Sequence, residues 1–393
     1  MRVVVRALWI VTFAAAAGVV THRSSGRVLS GHEPAAWFPE PPFGGIARQA
    51  PLPGRSWTTP SPNCYATLVG ATSLRDRGAY VGYVLNALVS ARALRRLGSV
   101  ADFVVMVEYD RDAHDEASPP PLPEEALLAS HGVRVAYLAS AASPPWYRFA
   151  ATTARKFDAY LLDGCARVQF LDSDVLPLKN MDYAFDAVDA SAPDAFGAGA
   201  SEPAQAGWFL ATPSAATRDA LLAPAYRLGF RDKRFNHGHG GPGSSGSGWS
   251  GAPLGAWRTQ RGEGRGWHFN GARGDQGLMY QYARFASRGA LRVFFPDRVE
   301  TWPNATTPSV GPLPFRPGFL LRYGDYDHYT GQAKPWLGRE AEMPDAWRDG
   351  FRDLRAATAP EFAGLLNLTF PLARPRAGFS SAGAGRNAGR RAP

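Results

Sequence analysis

The sequence predicts an α/β fold, a mostly parallel sheet flanked by helices. Three observations predict it. From residue 63 onward, strand-like and helix-like segments alternate four times. The strand-like segments are continuous apolar runs, as expected of strands covered on both faces. The chain has 393 residues, 45% of them hydrophobic and 20% charged, enough for one large domain or two modest ones.

Taken in order, the chain opens with Arg2 and Arg6 ahead of the apolar run 7–20. That run falls short of the roughly 20 residues that cross a bilayer comfortably. Residues 1–21 therefore fit a cleaved secretory signal peptide or a short type II signal-anchor with its arginines on the cytoplasmic side. Both readings send the rest of the chain to a lumen, the Golgi or another secretory compartment, with secretion after cleavage as the alternative. Residues 22–62 hold eight prolines among Gly, Ser and Arg and read as an unstructured stem.

The main domain is expected over 63–372. "CYATLV" reads as a buried strand, and 79–98 as a helix with Val81, Val84, Leu85, Leu88, Leu94 and Leu97 at helical spacing and Gly98 as the stop. "DFVVMV" is the second strand. A short helix from Glu124 leads to the strand "VRVAYL". A longer helix, 148–162, precedes "VQFL", the fourth strand. "GWFLATPS" reads as a strand followed by a helix capped near Ser214. Residues 237–266, rich in Gly and Ser with neither period, read as an inserted mobile loop. "GDQGLMYQYARFA" returns to helix, "LRVFFP" to strand, and 318–336 to a strand followed by a polar loop. Residues 373–393 read as a disordered tail.

Formal net charge is +9, yet only four of the 43 basic residues are lysine: Lys156, Lys179, Lys233 and Lys334. The arginines are scattered and no nucleic-acid motif accompanies them, so nucleic acid is not an expected partner. Cys64 opens one predicted strand and Cys165 lies just ahead of another. They read either as one bridge or as two buried thiols. Sequons at Asn304 and Asn367 agree with a lumenal location.

"VQFLDSDVLPLKNMD" ends the fourth strand on Asp172 and Asp174. In parallel sheets ligands collect at the carboxyl ends of strands, which favours a function for the pair. A phosphoaspartate nucleophile fits poorly, since the position after Asp-x-Asp-x is Leu176. A carboxylate pair for acid/base work, oxygen ligands for a divalent metal that grips a diphosphate, and simple decoration of a turn all remain open.

Four blocks in one order resemble the glycogenin-like glycosyltransferases of family 8. They are "YATLV" with its helix, "ARKFDAYLLDGCARVQFLDSDVLPLKNMD", "GDQGLMYQY" and "HYTGQAKPW", together spanning about 63–340. The resemblance implies a Rossmann-like nucleotide-diphospho-sugar transferase fold of GT-A type. It implies a retaining hexosyltransferase using a UDP-sugar, with a glycan, glycolipid or polyol as acceptor. Asp172, Asp174 and His328 would hold Mn²⁺, with Mg²⁺ as the alternative, a mixed O/N set suited to manganese. Lys334 would meet the departing phosphate; Ser173 and the Gly331 backbone would contact ribose and diphosphate. Leu68 would wall the base, and Arg148 would reach the donor. Asp275, Gln276 and Lys156 would lie at the sugar, with Gln205 where the family carries an asparagine facing it. A compact ammonium on a diphosphate or sugar hydroxyl explains why scarce lysine stands at both Lys156 and Lys334. Retention needs no carboxylate pair if the leaving phosphate takes the acceptor proton; Asp275 as nucleophile is the alternative.

Departures stand beside the likeness. Gln205 is one methylene longer than the family's asparagine, "VGATSL" lacks the usual Asn and Tyr near the uracil, and the glycine-rich insertion is foreign. These favour a competing expectation, a nucleotide-sugar-binding protein that kept the fold without catalysis.

Overall fold

The computed structural model describes residues 44–50, 61–109, 119–139, 152–190, 193–197, 204–228, 237–240, 267–270, 274–287, 291–294, 299–304, 307–309, 326–329, 334–339 and 342–372. All lie within the unit Glu40–Pro393. β1 (Ile46–Ala50) precedes β2 (Ser61–Thr72), α1 (Arg77–Arg96), β3 (Asp102–Tyr109), α2 (Glu125–Ser130), β4 (Val133–Leu138) and β5 (Cys165–Leu171). β6 (Val175–Pro177), β7 (Asp194–Gly197), β8 (Gln205–Ala211) and α3 (Ala215–Leu228) follow. Beyond these come β9 (His237–Gly240), β10 (Trp267–Asn270), α4 (Asp275–Gln281), β11 (Leu291–Phe294), β12 (Val299–Asn304), β13 (Thr307–Ser309), β14 (Tyr326–His328), α5 (Asp345–Ala357) and α6 (Ala363–Leu366).

Among the described residues one sheet has ten strands in the order β1-β4-β3-β2-β5-β8-β7-β11-β12-β13. Its block β4-β3-β2-β5 is parallel throughout. β8 runs antiparallel between β5 and β7, and β11 is again parallel to β7. The chain builds outward from β2 to β3 and β4, then crosses back to lay β5 on the other side of β2. That reversal is the switch point of a Rossmann-like sheet, where the crevice at the carboxyl ends of the strands takes ligands.

Both faces of this block are covered, and the pleat shows it. Cys64, Ala66 and Leu68 of β2 join one apolar cluster with Phe170 and Phe209, while Tyr65 and Val69 join the other with Val84, Leu88 and Trp347. α1 lies in the second cluster and stops as expected. Gly98 has φ +86°, its N–H bonds Arg95 O at 3.0 Å, and Ser99 N–H bonds Leu94 O at 2.9 Å.

Four features depart from the sequence reading. The stretch read as stem contains β1, which pairs antiparallel with the edge of β4. Its pairing depends on a partner some 90 residues away, which no local pattern announces. The Asp-x-Asp strand is consequently the fifth in the chain, although the fourth of the parallel block. The helix expected over 148–162 is, in its described part, mainly a 3₁₀ segment, Arg155–Leu161. Residues three apart eclipse in that geometry, which suits the Arg155 Nε–Asp158 Oδ2 pair at 2.6 Å. Arg218 of α3 closes on Asp158 Oδ1 at 2.8 Å from the other side.

The insertion 237–266 opens as a strand, because β9 pairs antiparallel with β10 just beyond its end, His239 opposite His268. Glycine-rich strands need no apolar period to share backbone hydrogen bonds. Of the two readings open for Cys64 and Cys165, the bridge is the one formed, with Cα atoms 5.8 Å apart. Finally, α5 carries Trp347, Phe351 and Leu354 at helical spacing and was not anticipated. The strand expected near 318 and the segments 1–43 and 373–393 lie outside the described residues. No helix among those described is long and apolar enough to cross a membrane.

Candidate metal centre

The site begins where β5 runs out. Asp172 N–H bonds Gly207 O of β8 at 2.9 Å, and Val175 N–H turns back to Asp172 O at 2.9 Å. That tight turn sets Asp172 and Asp174 side by side at the switch point. β14 then pairs antiparallel with β6, placing His328 opposite Val175. Tyr329 N–H bonds Asp174 O at 2.8 Å and fixes the approach.

Each aspartate divides its two oxygens between a lysine and the histidine. Asp172 gives Oδ1 to Lys156 Nζ at 2.8 Å and turns Oδ2 toward His328 Nε2 at 3.8 Å. Asp174 gives Oδ2 to Lys334 Nζ at 2.5 Å and turns Oδ1 to His328 Nε2 at 3.2 Å. One ligand atom from each of Asp172, Asp174 and His328 lies within 4.8 Å of the others. Two carboxylate oxygens and one imidazole nitrogen converge on one point, with the outer oxygens already neutralised. This donor set fits a divalent cation of intermediate hardness such as Mn²⁺.

The electrostatics follow from burial and neighbours. Burial pushes the Asp172 carboxyl up, against the pull of Lys156. Burial also opposes the charge on Asp174, but the His328 hydrogen bond and the Lys334 ammonium outweigh it and hold Asp174 down at about 2. For His328, burial favours the neutral ring and the two aspartates more than reverse that, so it is raised. Lys156 is only 4% exposed. Burial disfavours its charge, but Asp172 and Asp275 prevail and raise it.

Lys156 links the acids to the rest of the predicted set. Its Nζ stands 2.5 Å from Asp275 Oδ2 and donates to Ala206 O at 3.1 Å. Asp275 opens α4, and its Oδ1 accepts the N–H of Gln276 at 2.9 Å. The structure thus brings together Asp172, Asp174, His328, Lys156, Lys334 and Asp275, with Gln276 adjoining. Ser173 sits between the two aspartates. Gln205 is the first residue of β8, one strand over, and partly exposed. Leu68 is 8% exposed and belongs to the apolar cluster on one face of the sheet. Arg148 and Gly331 lie outside the described residues.

Several residues near the site escaped the sequence reading. Tyr83 of α1 turns its ring to Lys334 Nζ, 5.5 Å from the centroid, and meets Trp336 edge-on at 5.1 Å. Asn86 and Ser90, four apart on the same helix, are each 1% exposed. Two polar residues on the otherwise apolar buried face of the helix were the available signal.

No protein-family model matches the chain, and no curated protein does. Among solved structures, galactosyltransferase LgtC in complex with donor and acceptor sugar analogs is 12% identical, covering 77% of this chain and 99% of that one with a TM-score of 0.38. The bifunctional glycosyltransferase WbbM is 13% identical over 80% of this chain and 52% of that one, TM-score 0.40. The glycosyltransferase GlyE of Streptococcus pneumoniae is 16% identical over 44% of this chain and 41% of that one, TM-score 0.30. Likeness at this level carries no weight of its own. The fold stands on the strand order, and the site on its distances.

Proposed function

We propose that the chain is a Mn²⁺-dependent, retaining glycosyltransferase of the glycogenin-like type, moving a hexosyl group from a UDP-sugar to a glycan, glycolipid or polyol. The observation that carries this reading is the division of oxygens at Asp172 and Asp174, inner ones toward His328 and outer ones on two lysines. Bound there, Mn²⁺ would neutralise the diphosphate and improve it as a leaving group. Lys334, anchored on Asp174, is at hand to donate a hydrogen bond to the departing phosphate. Lys156 holds Asp172 and Asp275 in place by pairing with both carboxylates, so that Asp275 can accept hydrogen bonds from sugar hydroxyls. In the transfer the anomeric C–O bond to phosphate breaks and a new C–O bond forms on the same face. The acceptor proton passes to the leaving phosphate.

The buried Cys64–Cys165 disulfide supports synthesis in an oxidising compartment, in line with a secretory or Golgi-type location. Asn367 is exposed, as a glycosylated sequon must be. Membrane attachment through residues 1–21 belongs to the same proposal.

A second reading, binding without catalysis, is favoured by Gln205 in place of a shorter amide. A UDP-sugar hydrolysis panel on wild type and Asp174→Ala, with UDP calorimetry with and without Mn²⁺, separates the two. Hydrolysis of at least one UDP-sugar, lost in Asp174→Ala, is expected. Mn²⁺-dependent UDP binding without hydrolysis supports the second reading. Neither hydrolysis nor any gain in UDP affinity with Mn²⁺ overturns both.

A further inference from the structure

The turn that carries the two aspartates is held from behind by a chain of buried polar groups reaching into α5. Asn86 Nδ2 donates to Ser173 O at 3.1 Å and to Val175 O at 2.9 Å. Ser90 Oγ donates to the same Val175 O at 3.0 Å. On the far side, Trp347 Nε1 donates to Asn86 Oδ1 at 3.0 Å. Asn86 and Ser90 are 1% exposed and Trp347 is fully buried.

The chemistry leaves this arrangement no freedom. An indole N–H can only donate, so it fixes which end of the Asn86 amide is oxygen. The amide then has two hydrogens left, and two carbonyls stand in front of them. With Tyr329 N–H on Asp174 O and Val175 N–H on Asp172 O, every carbonyl from Asp172 to Val175 has a donor. A residue-by-residue lock of this kind determines where the two side chains leave the backbone.

We infer that Asn86 and Trp347 are positioning residues that hold the Asp172–Val175 turn so that the inner carboxylate oxygens face His328. The inference rests on the reading of Asp172, Asp174 and His328 as a cation site. It adds that the site's geometry is set by a helix about 170 residues further along the chain. Groups that orient metal ligands from behind typically contribute about 10–100-fold to metal affinity.

The test uses the full chain with Mn²⁺ alone as probe, read by loss of the free-ion EPR signal. Trp347→Phe keeps an aromatic ring but removes the N–H together with the five-membered ring; Asn86→Leu removes the amide. Leu354→Ala removes core contacts from the same helix and keeps the indole, controlling for lost stability. Ser90→Ala removes one of two donors on Val175 O and is the mildest variant. Backbone hydrogen exchange at Val175 and Tyr329 is followed in parallel.

About tenfold weaker Mn²⁺ binding is expected for Trp347→Phe and more for Asn86→Leu, with little change in Ser90→Ala and Leu354→Ala. Exchange at Val175 and Tyr329 should quicken more in Trp347→Phe than in Leu354→Ala. Equal Mn²⁺ affinity in Trp347→Phe and Leu354→Ala, with equal exchange, overturns the inference. If wild type binds no Mn²⁺, the cation reading falls. The exchange comparison then still decides whether Asn86 and Trp347 hold the turn. Should Asn86→Leu fail to fold, Trp347→Phe and Ser90→Ala carry the test.

Discussion

A methyl group built on Gly207 would stand 2.9 Å from His328 Cε1 and 3.4 Å from Asp172 Oδ2. The backbone of β8 approaches the Asp172/His328 cluster so closely that only a hydrogen fits. Gly207→Ala should therefore push the imidazole away from the acids while its carbonyl still receives the Asp172 N–H. We expect Mn²⁺ affinity to fall by about tenfold, the lower end of what ligand orientation contributes, with the thermal midpoint nearly unchanged. Unaltered affinity in a folded Gly207→Ala would show that His328 does not need this approach. The aspartate pair was legible as a local pattern at a strand's end, whereas its role beside His328 was implied only by the family resemblance of blocks such as "HYTGQAKPW". Gly207, Asn86 and Trp347 were legible in neither way. Their roles come from contacts between distant segments, and only the polar pair Asn86/Ser90 left a trace in its own helix.

Between elements, α1 is the hub of the site. It packs on β2 with one face, reaches β6 through Asn86 and Ser90, and meets α5 through Trp347. It also admits the turn Pro335–Leu337, which follows Lys334, because Gly82 leaves room for Trp336. A Cβ at Gly82 would lie 2.1 Å from Trp336 Cδ1. Alanine would gain about 1 kcal/mol of helix propensity over glycine. Overpacking a rigid indole costs about 1–3 kcal/mol and often more at so short a contact. The clash wins, so Gly82→Ala should lower the urea midpoint; a midpoint at or above wild type would contradict this packing. Parallel strands and α1 could be read ahead of the structure, since each is a long run with one period. β1 and the 3₁₀ segment could not, since one depends on the β4 edge and the other on the Asp158 ion pairs. α5 has a plain 3–4 spacing in Trp347, Phe351 and Leu354, and there the signal was present but unread.

Across the whole molecule, the disulfide ties β2 to β5 near the start of both strands, while the Asp172/Asp174/His328 cluster lies beyond the carboxyl end of β5. Cross-linking two core strands this way restricts the unfolded chain and contributes roughly 2–4 kcal/mol. The pH response of stability has a separate source. Burial pushes the Asp194 carboxyl up to about 7, only partly offset by the Thr212 N–H and Tyr160. Its folded pKa therefore exceeds the unfolded value. The folded state keeps the proton, and the resulting stability, present below about pH 4, is lost as pH rises toward about 7. The urea midpoint should fall between about pH 4 and pH 7, and Asp194→Asn should remove that part of the fall. An identical slope in both proteins would rule out Asp194 as its source.

If Asp172, Asp174 and His328 share one cation, Mn²⁺ titration of the full chain with saturating UDP will reveal it. Wild type should take up one Mn²⁺ per chain. His328→Ala and Asp174→Ala should each weaken binding by more than about tenfold, in keeping with the loss of a ligand. Once one ligand is gone, the double variant should lose little more. Binding in His328→Ala as tight as in wild type would contradict the account, since the histidine would then stand beside the acids without sharing their ion.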